Sequence, residues 1–72
     1  MLKPHDLKRG DRVRVRRGAW VHTLYPGKAD YALSRSQVIK VDHTIGDNVR
    51  WAGRAGYWCS VNITDVTREE PT

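Results

Sequence analysis

Arginine and valine alternate without a break from Arg12 to Arg16, and no other stretch constrains the fold as tightly. Residues two apart on a helix share no face, whereas on a strand they line the same side. Val13 and Val15 are therefore expected to face a core, with Arg12, Arg14 and Arg16 on the opposite side. Gly10-Asp11 precedes this strand as a turn and Gly18 interrupts it. The same period of two continues along the chain. It predicts a strand from about Ser36 to His43, with Ile39 and Val41 inward and Lys40 and Asp42 outward. Asn48 to Ala52 follows as a third strand and Tyr57 to Asn62 as a fourth, with Tyr57, Cys59 and Val61 on one face and Trp58 on the other.

The connections have turn chemistry. Ile45-Gly46-Asp47-Asn48 and Gly53-Arg54-Ala55-Gly56 are short and glycine-bearing. Residues 19–34, with Trp20, Tyr25, Pro26-Gly27 and Tyr31, are expected to form a long hairpin or loop. Ile63-Thr64-Asp65 is expected to make one 3₁₀ turn before a brief closing strand at Val66-Thr67. Nothing in the chain predicts a helix of ten residues. The expected architecture is all-β, a five-stranded barrel over residues 10–67, with a lead-in at 1–9 and a frayed tail at 68–72. Its expected core is Val13, Val15, Leu33, Ile39, Val41, Val49, Trp51, Cys59, Val61, Ile63 and Val66. In a chain of 72 residues a single hydrophobic core leaves little net stability, so a homo-oligomer is compatible with the reading.

The opening Gly10-Asp11-Arg12-Val13-Arg14-Val15, the aromatic-bearing loop and the closing Trp58-Cys59-Ser60-Val61-Asn62-Ile63-Thr64-Asp65-Val66 resemble an SH3-like barrel, with an opening common to SH3-like and KOW-type barrels. A second resemblance concerns Gly10-Asp11-Arg12-Val13-Arg14 followed by Gly18-Ala19-Trp20. This stretch is similar to the start of the plasmid-encoded type II dihydrofolate reductases, which are also SH3-like barrels. Their active-site Val-Gln-Ile-Tyr motif does not occur here. The nearest string, Ser36-Gln37-Val38-Ile39, departs from it, so the resemblance carries over no catalytic residue.

Charge separates the function classes. The net charge is +5, and residues 1–20 supply all of it. They hold seven Lys or Arg against Asp6 and Asp11, and the remaining six Lys or Arg balance six Asp or Glu. Such asymmetry produces a local positive field that attracts phosphates or acidic partners. Arg12, Arg14 and Arg16 are spaced about 6–7 Å apart on one strand face, a spacing suited to consecutive phosphates. Lys8, Arg9 and Arg17 extend the field, and Trp20 and Tyr25, with Tyr31, are expected to stack on bases or wedge into a groove. The expected function is therefore non-enzymatic binding of nucleic acid, DNA included. The alternatives are a protein- or peptide-interaction module, receiving an acidic partner at Tyr25, Tyr31, Trp51 and Trp58, and a small subunit of a larger assembly. Asp30 is the single acid between residues 12 and 41, which disfavours a basic ligand.

Metal and cofactor chemistry have little to stand on. His5, His22 and His43 have no ligand spacing, and Cys59 is the lone cysteine, so neither a multi-cysteine zinc site nor an internal disulfide is expected. Gly53-Arg54-Ala55-Gly56 precedes a strand rather than the helix that a phosphate loop requires. No apolar run approaches the length of a membrane span and no apolar leader is visible. The expectation is a cytoplasmic protein with no cofactor.

Overall fold

The computed structural model describes residues 2–24, 29–53 and 56–68. Its strands are β1 (Arg12–Val15), β2 (Trp20–Thr23), β3 (Tyr31–Ala32), β4 (Gln37–Lys40), β5 (His43–Ile45), β6 (Asn48–Ala52), β7 (Trp58–Asn62) and β8 (Val66–Arg68). Short 3₁₀ turns occur at Pro4–Asp6 and Ile63–Asp65. No helix of seven or more residues occurs among the described residues, so the fold is all-β.

The strands form two sheets. In the smaller one β1 lies between β4 and β8; in the larger the order is β3-β2-β7-β6-β5. Among the described residues no ladder joins the two into a closed ring. Among the described residues eight strands stand where five were expected, for two reasons. The segment from Ser36 to His43 is divided because its ladder changes partner midway. The Val41 N–H donates to the Asp11 carbonyl, and one residue later the Asp42 N–H donates to the Arg50 carbonyl. The chain thereby leaves β1 and joins β6, so β4 and β5 lie in different sheets. The second reason is the 19–34 region, which holds two strands of its own, with Trp20 opposite Ala32 and Val21 opposite Tyr31.

Two turns of one design bracket β1. In Lys8–Asp11 and in Arg16–Ala19 the fourth N–H donates to the first carbonyl, at 3.0 and 3.2 Å. The third residue is a glycine with positive φ in each, Gly10 at 94° and Gly18 at 85°. A type II turn requires that conformation, which a side chain resists. Each turn leaves an arginine, Arg9 or Arg17, exposed beside the glycine.

The core is valine-rich because alternating strands of four or five residues offer few inward positions, and a β-branched side chain fills a pleated surface well. All eleven expected core residues are buried. Leu7, Ala19 and Val21 join them. Leu7 ties the lead-in to this core, and Arg68, expected in the tail, extends β8 and donates from Nη2 to the Asp6 carbonyl at 2.8 Å. Val15 is fully buried opposite Val66 and Gln37. Val15→Asp would place an unpaired carboxylate there, a cost comparable with the roughly 5 kcal/mol that holds a small domain folded. Circular dichroism is expected to show loss of the cooperative thermal transition; a native spectrum with unchanged melting would contradict the inward assignment.

Candidate functional site

The outward face of the small sheet is where strand alternation and the cationic N-terminal third meet. β1 is its central strand, so Arg12 and Arg14 stand in the middle of the face rather than at an edge. Arg12 lies directly opposite Lys40, and Arg14 lies opposite Val38 on one side and Thr67 on the other. Directly opposed residues of an antiparallel pair have Cα atoms about 4.5–5.5 Å apart. Arg12 and Lys40 are thus like charges at close quarters, an arrangement that disfavours the fold slightly. Neither forms an ion pair with a carboxylate among the described residues. Arg14 donates to the Ser36 hydroxyl at 3.2 Å. Lys40 arches over the Gly10 turn, its Cε 3.9 Å from the place a β-carbon on Gly10 would take.

The other expected site residues have different settings. Arg16 does not continue the stripe: its Nε is 2.6 Å from Asp65 Oδ1, and its Nη1 donates to the Arg17 carbonyl. Its backbone N–H also donates to the Asp65 carbonyl. The reason is positional. Arg16 follows the last residue of β1, where the chain turns against the second 3₁₀ turn and meets the half-buried Asp65. Arg9 pairs with Asp42 at 3.3 Å. Lys8 and Arg17 are exposed at the two turns. Trp20 is 58% exposed but belongs to β2, so it lies on the large sheet and not on the arginine face. Tyr25 lies outside the described residues.

The outward face of the large sheet carries groups that the sequence reading did not assemble. Register brings His22, Ser60, Arg50 and His43 into one row across β2, β7, β6 and β5. An aspartate holds each end. His22 Nδ1 donates to Asp30 at 2.7 Å and His43 Nδ1 to Asp42 at 2.6 Å. Arg50 Nε is buried without a partner. Trp58, opposite Ala52 and 37% exposed, meets the His43 ring edge to face, with centroids 5.3 Å apart and planes at 78°. Outward parity was the one sequence signal for Trp58 and Lys40; their neighbours depend on register between strands far apart in the chain.

A separate cavity of about 350 Å³ opens on the inward side of the β3 edge, lined by Tyr31, Gln37, Trp51, Gly53, Tyr57 and Cys59. Burial raises the Tyr31 phenol above its usual range, with the nearby Cys59 and Tyr57 acting in the same direction. Among the described residues no cluster of three or more His, Cys, Asp or Glu is arranged to hold a metal ion. No helix among them is long and apolar enough to cross a membrane.

Neither a protein-family model, nor a curated protein, nor a solved structure matches this chain.

Two carboxylates make the fold sensitive to acid. The Thr23 backbone N–H, followed by His22, holds Asp30 below its ordinary 3.8, with partial burial opposing. The His43 hydrogen bond, with Arg9 alongside, does the same for Asp42. A carboxyl depressed in the folded state stabilises fully above its unfolded value and loses that contribution as pH falls through the folded one. Thermal stability is therefore expected to hold above about pH 4 and to decline progressively below it. Asp30→Asn is expected to make that decline shallower; an unchanged acid limb in melting curves would contradict the assignment.

Proposed function

We infer that this chain is a small non-enzymatic binding protein with an SH3-like barrel fold, which contacts nucleic acid through the outward face of β1 and β4. The pairing of β8 with β1 and the 3₁₀ turn that precedes β8 support the barrel reading. The observation that carries the function is the opposed pair Arg12 and Lys40, with Arg14 beside it on the central strand. Two cations facing each other without a carboxylate oppose folding. A phosphate between them converts that repulsion into two charge-assisted contacts. Contacts of this kind position a protein on a backbone and confer little sequence preference. Lys8, Arg9 and Arg17 reinforce the field from the bracketing turns, while Arg16 serves the fold through Asp65.

An acidic peptide is the second reading, and the cavity between Tyr31, Trp51 and Tyr57 favours it. Among the described residues the cavity lining holds no cation, but both ligands are polyanions drawn by the same net positive charge, so both would respond to salt. Competition separates them: polyglutamate displaces an acidic peptide but leaves a phosphate-specific complex in place.

One substitution drives folding and binding in opposite directions. Arg12→Glu puts a carboxylate opposite Lys40 and replaces a repulsive cross-strand pair with an attractive one, worth about 0.2–1 kcal/mol. The same change removes a phosphate contact and adds a repulsive charge. The variant is expected to melt slightly higher than the parent and to bind a mixed-sequence oligonucleotide several-fold more weakly, with a flatter salt dependence. Fluorescence anisotropy and a melting curve on the same preparation give both readouts. Unchanged affinity in a well-folded variant would remove this face from the interface.

A further inference from the structure

We propose that the ligand is a single-stranded nucleic acid, its phosphates running over Arg12, Lys40 and Arg9 and one base stacking on Trp58. The inference rests on the reading above and adds both the strand state of the ligand and the position of its base.

Two depressions mark the route. The first, of about 500 Å³, is lined by Gly10, Arg12, Val38, Ile39 and Lys40. The second, of about 330 Å³, is lined by Arg9, Gly10, Lys40, Val41, Asp42 and Ala52. They meet at Gly10 and Lys40, so the track passes from the small sheet to the large one where the chain itself crosses, at Val41-Asp42. At the junction Gly10 adds no side chain, and Lys40 Cε lies 3.9 Å from where a β-carbon there would stand. Three cations border this track, and the one acid on it, Asp42, is already engaged by Arg9 and His43.

The far end of the track reaches an aromatic platform. Ala52 lines the second depression and stands directly opposite Trp58 on β7. The indole is 37% exposed, and the perpendicular His43 contact covers at most one of its faces. His43 is itself fixed by Asp42, and Asp42 by Arg9. The cationic track and the platform therefore share one chain of contacts, Arg9–Asp42–His43–Trp58.

This geometry selects an unpaired strand. Bases in a duplex are already stacked and reach a side chain only after being extruded, whereas an unpaired base offers a free ring face beside its own phosphate. A positive groove that ends in an aromatic ring suits that ligand. Neither tryptophan lines a depression itself: Trp58 stands opposite Ala52, which lines the second, whereas Trp20 stands opposite Ala32, which lines neither.

The test compares a short oligothymidylate with a blunt duplex of similar length, using the intact chain and both anisotropy and tryptophan fluorescence. The single strand is expected to bind more tightly than the duplex and to quench the emission. Trp58→Ala is expected to weaken single-strand binding about five- to a hundredfold while changing duplex binding little. Trp58→Phe, which keeps a ring and guards against misfolding, is expected to retain most of the affinity but lose the quench. Trp20→Phe is expected to keep both. Equal affinity for the two ligands with no effect at Trp58 would overturn this inference and leave phosphate binding by the arginine face standing. Failure to bind either oligonucleotide would overturn both.

Discussion

Burial of Val13 and Val15 in the centre of the small sheet determines where much of the chain's charge goes. Both valines are fully buried, and β1 pairs on both sides, with β4 and with β8. A strand with two partners cannot rotate about its axis, so Arg12 and Arg14 must project from the opposite face. The two glycine turns that bracket β1 fix its length, and thereby the number of arginines on that face. Arg16 falls one residue beyond the strand and is captured by Asp65. Stability and surface charge are two consequences of a single alternation.

The result is a fold that tolerates a local electrostatic conflict. Arg12 faces Lys40, although a carboxylate at either position would have been mildly favourable. Elsewhere the molecule does pair its charges: Arg16 with Asp65, Arg9 with Asp42, Arg68 with Asp11. Surface pairs of that kind contribute little energy, but their distribution leaves positive charge concentrated where the two depressions meet. Local conflicts that a fold retains are expected at functional positions more often than elsewhere. On this account the repulsion between Arg12 and Lys40 is relieved when a phosphate is bound.

Local pattern made the inward-facing residues legible and left the site largely hidden. Alternation within a strand identifies its inward side chains without knowledge of partners, which is why Val49, Trp51, Cys59 and Val61 were readable. The same rule identified Asn48–Ala52 as a strand with its observed ends. What alternation cannot supply is register. That Lys40 opposes Arg12, or that His22, Ser60, Arg50 and His43 form a row, depends on pairings between segments tens of residues apart. The division of the Ser36–His43 strand had no local signal either. Val41 and Asp42 keep the alternating pattern across it, and the break exists because their hydrogen bonds go to different sheets. Trp20 illustrates the converse. It adjoins the arginines in sequence but sits on the other sheet, because the Gly18 turn reverses the chain between them.

The salt dependence of oligonucleotide affinity tests the central claim most directly, because each neutralised phosphate releases condensed counterions. Contacts through Arg9, Arg12, Arg14 and Lys40 engage three or four phosphates. For a single strand that corresponds to a slope of about −2 to −3 in log affinity against log salt concentration. A slope in that range would match the face formed by β1 and β4. A slope near zero, or no binding at low salt, would show that the cations of that face bind no phosphate.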